Sequence, residues 1–540
     1  MRPYDWWNGT VARALDHVAR CCPDLEAIVY KDLRLTYREF AERAAAVAGG
    51  LASMGVRRGD HVGVLHPNHP DVQVLHYAVA RIGAIFTPFN VMLSPAELRH
   101  LSAHSNVSIL LVGGSYRQNS MLGLLSEALP EWRKQCSPAV DMPSHPRLRT
   151  VLVAEPGLTQ LAQLGAHAGV PRDDRVTPET VSHLIYTSGS TRLPKAVRLC
   201  HRGVLGAAFY WAEALCLSEA DRFLVTLPFY HTGGLFLSAL STHLRGGCTH
   251  IVDRFDPREA LEVVQRERIT VMGGLDYQLR QMAELIDDEG YDISSWTKSY
   301  SRTASYHLRA RLGVKHIVCF YSMTEASNPV ALVMPDEQRE WIRAGSVGRP
   351  LPGVDVRVVD PVSGGEVSRG AEGEIRFRGW NCFAGYHNPS DDDLPAKVFD
   401  ADGYFSTGDC GYMDTEGYLW LTGRYKDMIK TGGENVSALE VEGWLSNHIP
   451  GVKAVQVVGV PDERWGEAVV AFIELRRGHA LRPDEIIHRC KDGLSRHKIP
   501  KFVFLVEADE WPMISAETIK VRKDMLCARA RALIEASHGG

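Results

Sequence analysis

The chain has little that would tie it to a membrane, to nucleic acid or to a structural metal. Its 60 basic and 65 acidic residues leave a formal net charge of −5, which gives no electrostatic reason to expect nucleic-acid binding. No apolar run is long enough to cross a bilayer, and the start lacks the apolar segment of a secretion signal. None of the 11 cysteines forms a Cys-x-x-Cys pair with metal-site spacing. We therefore expect a cytoplasmic protein with no membrane span and no nucleic-acid partner.

Length and patterning indicate an α/β protein of at least two domains. The 540 residues exceed one ordinary core. The first part alternates strand-like and helical segments, which is typical of βαβ-type sheets wrapped by helices. Short β-like runs between Gly and Asp turns then indicate a small β-barrel-like subdomain at about 350–424. The predicted domains are a large amino-terminal one, 1–425, and a small mobile α+β one, 426–540.

The most informative segment follows a β-prone run that ends at Tyr186. Residues 187–195 concentrate hydroxyls, a glycine and a terminal lysine. Hydroxyls and backbone N–H groups at a strand-to-helix turn form a cradle for phosphate oxygens, and a helix expected over about 201–217 would point its positive end at that anion. Composition alone equally fits a polar surface turn. The predicted phosphate ligands are Thr187, Ser188, Gly189, Ser190, Thr191 and Lys195.

The order of these residues resembles a known family. Thr-Ser-Gly-Ser-Thr-Arg-Leu-Pro-Lys-Ala over 187–196 is similar to the loop of the adenylate-forming superfamily, which includes acyl-CoA synthetases, luciferases and adenylation domains of peptide synthetases. The resemblance implies that this loop steadies the phosphates of ATP and that Thr187 takes part in catalysis. Arg192 stands where the family usually has glycine, and either adds a phosphate contact or stiffens the loop.

Two later motifs extend the resemblance to a complete nucleotide site. Residues 320–326 resemble the family motif Tyr-Gly-x-Thr-Glu, which implies Mg²⁺ ligation by Glu325 and Thr324. Residues 406–418 resemble Thr-Gly-Asp-x-Gly-x-x-Asp-x-x-Gly-Tyr, which implies ribose binding by Asp409. Alone, each motif also fits an ordinary helix start or an Asp-Gly turn. The residues implied to contact ATP or AMP here are Tyr321, Ser322, Met323, Thr324 and Asp409.

The segment 423–435, Gly-Arg-Tyr-Lys-Asp-Met-Ile-Lys-Thr-Gly-Gly-Glu-Asn, resembles the hinge of the family. The resemblance implies that Arg424 contacts ribose or phosphate and that the backbone at Lys426 rotates to swing the small domain. It also implies a coenzyme A tunnel formed by Lys430, Gly432 and Gly433, with Lys430 acting in catalysis. For either lysine alone, a solvated surface charge remains an alternative.

Three further segments concern the acyl group and its activation. Pro228–Gly234 resembles the Pro-x-Phe/Tyr-His-x-x-Gly segment of acyl- and aryl-CoA synthetases, and no acidic residue that could bind an amino acid's ammonium lies between Arg222 and Ile251. The carboxyl-terminal Lys-Val-x-Lys pattern implies that Lys520 is the catalytic lysine, with Lys523 as the alternative. His231 would both line the acyl pocket and gate the thiol. The implied acyl pocket comprises Tyr230, His231, Gly273, Gly274, Ser301 and Ala304.

The resemblance covers nearly the whole chain and implies an acyl- or aryl-CoA synthetase that uses ATP, Mg²⁺ and coenzyme A. A small-molecule carboxylic acid would first become an acyl-adenylate and then a thioester. Two alternatives stay open: a ligase that loads a carrier protein in trans, and a catalytically silent relative that binds a nucleotide or acyl ligand. The sequence names neither the acid nor the oligomeric state, and a homodimer is compatible with it.

Overall fold

The computed structural model is described residue by residue over most of the chain. The described residues are 4–135, 139–154, 156–166, 174–187, 194–274, 276–301, 306–337, 339, 345–431, 434–462, 464–515 and 520–538. Several predicted site residues lie outside them: Ser188, Gly189, Ser190, Thr191, Ala304, Gly432 and Gly433.

The described chain forms two compact units. The first comprises the described parts of 1–187, 194–355 and 378–403, and the second those of 356–377 and 404–540. The chain thus enters the second unit, returns to the first and leaves it again. The predicted domain boundary at 425/426 stays a prediction. Among the described residues, no helix combines the length and the apolar character that a membrane crossing requires.

Two mixed β-sheets form the framework of the first unit, which confirms the predicted α/β class. Within the described residues the larger has nine strands, in the spatial order Arg349–Pro350, Asn328–Leu332, His316–Met323, Lys298–Ser301, Val271–Met272, Arg222–Val225, Cys248–Ile251, Glu26–Tyr30 and Leu33–Thr36. The other has six described strands, in the order Ala196–Cys200, Val181–Tyr186, Ile85–Pro88, His61–Leu65, Val107–Val112 and Thr150–Val153. A short hairpin pairs Ser115–Tyr116 with Asn119–Ser120.

Helices connect these strands, and local sequence fixes several of their starts. Thr36 and Glu39 form a capping box at one helix, and Ser94 and Glu97 form another before a helix that begins with Pro95. The helices of the first unit are Val11–Cys21, Tyr37–Ser53, Pro70–Ile82, Pro95–His104, Met121–Ala128, Pro130–Gln135, Thr159–Ala166, His201–Ala214, Ser241–Leu244, Pro257–Glu267, Asp276–Glu289, Tyr306–Arg311 and Pro395–Val398, with a π-helical segment at Gly233–Leu240.

Glycines allow two of these helices to touch along their backbones. A Cβ added at Gly165 would lie 1.8 Å from the carbonyl oxygen of Ala46, and one at Gly50 would lie 2.0 Å from that of Leu161. Real Cβ atoms do not approach so closely, so only glycine fits either position. The contact therefore depends on residue size rather than on side-chain interdigitation.

Three smaller sheets lie among the described residues of the second unit. A four-stranded antiparallel sheet, most of whose residues belong to this unit, consists of Val354–Val359, Gly373–Gly379, Phe405–Met413 and Leu419–Arg424. A five-stranded sheet consists of Glu434–Ser437, Met428–Thr431, Gly466–Leu475, Val452–Asp462 and Phe502–Leu505. A two-stranded ribbon pairs Met513–Ser515 with Lys520–Val521. The helices of this unit are Ala438–His448, Pro483–Cys490 and Lys523–His538.

The predicted phosphate loop connects two strands, and the expected strand-to-helix turn is wrong. Val181–Tyr186 pairs antiparallel with Ala196–Cys200, with Ala196 opposite Tyr186. The helix His201–Ala214 begins only after the second strand. At about 3.3 Å per residue, that strand separates the helix start from the loop by about 16 Å. The helix therefore does not begin directly after the loop, because the short run after Lys195 is a paired strand.

Candidate active site

The ends of the predicted phosphate loop are held together by the backbone. The N–H of Thr187 donates to the carbonyl of Lys195 at 2.9 Å, which continues the strand pairing by one bond. Lys195 Nζ lies 2.6 Å from Oδ1 of Asp393 and 5.1 Å from the ring centroid of Tyr386. The ammonium therefore already has a carboxylate partner and an aromatic face beside it.

Tyr386 also contacts the predicted metal ligand. The strand His316–Met323 ends in a short 3₁₀ turn, Thr324–Ala326, that carries Glu325. The hydroxyl of Tyr386 donates to Oε1 of Glu325 at 2.9 Å, and the N–H of Phe383 donates to the backbone carbonyl of Glu325 at 2.8 Å. Burial, together with the charge of Glu325, raises the pKa of Tyr386 far above that of an ordinary phenol. Tyr386 thus acts as a hydrogen-bond donor.

Three predicted nucleotide contacts lie at the end of the strand that precedes Glu325. Tyr321 is buried, whereas Ser322 and Met323 are partly exposed. Tyr321 lies opposite Ala331 of the neighbouring antiparallel strand, and the register shifts at Ser322. The structure therefore brings Tyr321, Ser322, Met323, Thr324 and Glu325 to one strand end, as the motif requires.

The residues around Glu325 fit a Mg²⁺ ion shared with a polyphosphate better than a metal held by protein alone. Among the described residues, no group of three or more His, Cys, Asp or Glu side chains could hold a metal. Mg²⁺ is commonly bound through one or two carboxylates, with phosphate oxygens and water completing its shell. One partly exposed carboxylate at Glu325 meets that requirement.

In the second unit, the predicted ribose ligand is paired with the predicted hinge arginine. Asp409 and Arg424 lie opposite each other on adjacent antiparallel strands. Arg424 Nε lies 2.6 Å from Oδ1 of Asp409, whose side chain is 7% exposed. The hydroxyl of Thr407 accepts from the N–H of Asp409 at 3.0 Å and donates to the carbonyl of Ile375 at 2.6 Å. The strand pairing therefore fixes the position of both charged groups.

The predicted lysines of the second unit occupy different elements. Lys426 lies in the 3₁₀ turn Tyr425–Asp427, and Lys430 lies on the next strand, where its N–H donates to Oε2 of Glu467 at 2.6 Å. The side chain of Lys430 is exposed. Lys520 begins the strand Lys520–Val521. Lys523, the alternative catalytic lysine, pairs with Glu442 at 2.8 Å, which favours a structural role for it.

The predicted acyl-binding turn is held by two asparagines that sequence reasoning missed. Asn68 donates to the carbonyl of Leu227 at 3.0 Å and accepts from the N–H of Phe229 at 2.8 Å. Asn328 donates to the hydroxyl of Thr232 at 2.7 Å. These contacts hold the backbone before the predicted pair and the Thr232 side chain after it. The two rings of the pair lie 4.7 Å apart: Tyr230 and His231.

The other predicted acyl residues lie beside a buried tyrosine and a buried arginine. A Cβ added at Gly273 would lie 1.9 Å from the ring of Tyr300, so glycine is required there. Arg309, which is 1% exposed, donates to the carbonyl of Gly274 at 2.8 Å. Ser301 ends the strand that carries Tyr300. Close packing against Tyr300 accounts for Gly273, and the role of both glycines as pocket residues stays a prediction.

Tyr386 and Asp393 are the main residues that sequence reasoning did not identify. Both lie within residues 383–393, between the motif at 320–326 and the motif at 406–418. The only signal in the sequence was an aromatic residue directly after Gly385. In the structure Gly385 has a φ of +89°, which suits glycine.

Comparison with known proteins decides the family. The profile described as AMP-binding enzyme matches residues 15–387, and the profile described as AMP-binding enzyme C-terminal domain matches residues 440–513.

The chain belongs to the AMP-binding enzyme family.

Two similar proteins are named for indoleacetate and for ferulate. The chain is 33% identical over 519 residues to an indoleacetate–CoA ligase of Aromatoleum aromaticum, covering 94% of this chain and 96% of that protein. It is 33% identical over 492 residues to a feruloyl-CoA synthase of Amycolatopsis, covering 90% and 92%. The ATP-bound structure of MatB from Rhodopseudomonas palustris superimposes with a TM-score of 0.81 at 27% identity, covering 96% of this chain and 98% of that one.

As a family member with these relatives, the chain is an AMP-forming acid–CoA ligase that uses ATP and coenzyme A and works through an acyl-adenylate. The family resemblance inferred from the motifs, and the activity that it implied, are confirmed. The identity of the acid and the roles of individual residues remain to be proposed.

Proposed function

We propose that the chain activates a bulky, ring-containing carboxylic acid as its adenylate and transfers the acyl group to free coenzyme A. The observation that carries the activation step of this proposal is the convergence of Lys195 and Glu325 on one side chain, Tyr386. A cation and a partly exposed carboxylate held this close together suit a Mg²⁺-bound polyphosphate.

In the first half-reaction, a carboxylate oxygen of the acid attacks the α-phosphorus of ATP, and pyrophosphate leaves. The loop around Thr187, Ser188, Gly189, Ser190 and Thr191, with Lys195, binds the departing phosphates. Mg²⁺ bound at Glu325 would neutralise phosphate charge. Asp409 accepts hydrogen bonds from the ribose hydroxyls, and Lys520 offsets the negative charge between the carboxylate and the α-phosphate. Tyr321, Ser322, Met323 and Thr324 contact the nucleotide.

In the second half-reaction, the sulfur of coenzyme A attacks the acyl carbonyl, AMP leaves, and the thiol proton is released. We propose that the backbone at Lys426 turns between the two half-reactions, as in the hinge segment that this chain resembles. That turn would exchange Lys520 for the face formed by Lys430, Gly432 and Gly433. His231 would gate the thiol.

One observation disfavours an amino acid substrate, and a second favours a ring-containing acid. The segment between Arg222 and Ile251 lacks an acidic residue, which disfavours an amino acid substrate. Two relatives at 33% identity are named for indoleacetate and ferulate. We propose that the ring lies among the predicted acyl-pocket residues, which are Tyr230, His231, Gly273, Gly274, Ser301 and Ala304.

An ATP–pyrophosphate exchange assay with a panel of acids tests this proposal. The panel comprises indoleacetate, ferulate, a cyclohexane carboxylate, octanoate, malonate and phenylalanine. We expect the ring-containing acids without an ammonium group to give the fastest exchange. Preference for octanoate or malonate would contradict the proposed substrate class. Exchange with phenylalanine alone would also contradict it.

The acyl acceptor is tested separately by mass spectrometry of the products. The adenylate is offered either free coenzyme A or a phosphopantetheinylated carrier protein. Rapid formation of the acyl-CoA supports the proposal, and exclusive acylation of the carrier protein contradicts it. A cytoplasmic location and a homodimer are further expectations, to be checked by cell fractionation and by light scattering.

A further inference from the structure

The chain holds the two charged groups of the proposed phosphate site through a residue that lies in neither motif. Tyr386 is 7% exposed. Its hydroxyl donates to Glu325 at 2.9 Å, and its ring faces the ammonium of Lys195 at 5.1 Å. One side chain thus contacts both a carboxylate and a cation that are separated widely in sequence.

The backbone around Tyr386 is fixed to the same two elements. Tyr386 forms an antiparallel bridge with Val197, and the N–H of His387 donates to the carbonyl of Ala196 at 2.8 Å. On the other side, the N–H of Phe383 donates to the carbonyl of Glu325 at 2.8 Å. The segment therefore ties the strand that follows the phosphate loop to the turn that carries Glu325.

The aromatic ring is also fixed in place. The ring of Phe383 lies 4.8 Å from that of Tyr386 in an edge-to-face arrangement and stacks on Phe399 at 5.5 Å. Asp393, which pairs with Lys195, accepts from the hydroxyl of Ser390 at 2.6 Å. The charged groups around the phenol are thus Glu325, Lys195 and Asp393, each at a defined position.

We propose that Tyr386 is a positioning residue of the phosphate site: its hydroxyl orients the Glu325 carboxylate toward a nucleotide-bound Mg²⁺, and its ring supports Lys195. This inference rests on the proposed function, because it assumes that Glu325 and Lys195 face the phosphates. A carboxylate that accepts a hydrogen bond on one oxygen keeps the other oriented for the cation, as outer-shell donors do at metal sites. The hydroxyl and the ring make separable contributions.

Calorimetric titration of ATP into the full chain, with Mg²⁺ or with EDTA, tests this inference without any acid or turnover. In Tyr386→Phe, which keeps the ring, we expect ATP binding in Mg²⁺ to weaken about tenfold or more, the typical effect of losing a hydrogen bond to a charged group. Binding in EDTA should change little. In Tyr386→Leu, which lacks the ring as well, binding should weaken under both conditions.

The matched control is Tyr291→Phe. The hydroxyl of Tyr291 also donates to a glutamate, Glu289 at 3.0 Å, but this pair lies outside the proposed site. We expect this control to bind ATP like the wild type. Glu325→Gln provides an independent arm: it should lose the benefit of Mg²⁺, and adding Tyr386→Phe to it should cause little further loss.

The outcomes separate the inference from the proposed function. Unchanged binding by Tyr386→Phe in Mg²⁺, or an equal loss in Mg²⁺ and EDTA, would overturn the inference, since the latter indicates a general structural role. Fully additive losses in the double variant would also overturn it. If the wild type does not bind ATP at all, the proposed function fails, and this inference fails with it.

Discussion

Acidification should destabilise the first unit steeply, because its core contains histidines that are neutral when folded. Burial lowers the pKa of four of them from 6.5 to about 3: His76, His201, His243 and His250. Burial also lowers the pKa of His183 well below its usual value. In the unfolded chain these imidazoles return to ordinary values and take up protons below about pH 6.5.

The sign follows from proton binding. Below pH 6.5 the unfolded state binds more protons than the folded state, so the free energy of unfolding falls as the pH falls. Above pH 6.5 the free energy of unfolding has its full value with respect to these histidines. It decreases progressively as the pH falls from 6.5 toward 3. At pH 5.5 each such histidine removes about 1.4 kcal/mol, and the four whose pKa falls to about 3 together remove about 6 kcal/mol. A loss of that size is a large part of the stability of an ordinary domain.

The assay is urea unfolding at pH 7.5 and pH 5.5, monitored by the fluorescence of the buried Trp211 and Trp296. The test variant is His76→Leu. Among the described contacts, Nε2 of His76 has no hydrogen-bond partner, and its ring packs 5.4 Å from that of Phe86. A leucine of similar size should change stability at pH 7.5 by less than about 1.5 kcal/mol. It should reduce the difference between the two pH values by about 1.4 kcal/mol.

The control is His448→Gln, because His448 is exposed at the end of the helix Ala438–His448. This variant should keep the pH difference of the wild type. A pH difference in His76→Leu equal to that of the wild type would refute the reasoning, since the buried imidazole would then not be the group that takes up the proton.

Four further outcomes follow from described contacts and proposed roles. Gly165→Val should lower the free energy of unfolding by about 1–3 kcal/mol, because the backbone of the facing helix leaves no room for a side chain. The control Gly123→Ala should unfold like the wild type, because no atom lies nearer than 3.6 Å to the added Cβ. Asp409→Asn should raise the KM for ATP about tenfold by breaking a charged contact, and an unchanged KM in pyrophosphate exchange would contradict ribose binding there. Lys520→Ala should abolish adenylate formation yet leave thioester formation from supplied adenylate intact; equal loss of both steps contradicts its role. Lys426→Pro should do the reverse, and normal thioester turnover contradicts the hinge.

Regular periodicity made much of the fold predictable. The predicted alternation of strands and helices in the first part of the chain is confirmed by elements such as Tyr37–Ser53, His61–Leu65 and Pro70–Ile82. The helix Tyr37–Ser53 begins at a capping box, and His61–Leu65 is a short buried run, so that local sequence and packing favour the same structure. The nucleotide motifs were equally readable because each is a contiguous run.

The remaining features depend on contacts that no local pattern encodes. The short strand Ala196–Cys200 forms because Val181–Tyr186 offers it an edge, which the apolar run alone does not reveal. Tyr386 and Glu325 lie 61 positions apart, so their hydrogen bond emerges only from the fold. Asn68 acts on a turn that is 161 positions away. Motifs in the sequence can thus predict which residues belong to the site. The contacts that set its geometry come from residues distant in the sequence.

Because the phosphate loop connects two paired strands, its residues can be exchanged without changing how those strands pair. The N–H of Thr187 and the carbonyl of Lys195 close its base, and Ala196 stays opposite Tyr186 whatever lies between. A residue added or replaced within 188–194 would leave each side chain of the two strands on its present face of the sheet. A residue added inside either strand would move the side chains beyond it to the opposite face. Grafting the loop of another family member onto this hairpin, including a glycine in place of Arg192, is therefore a local edit that spares the core.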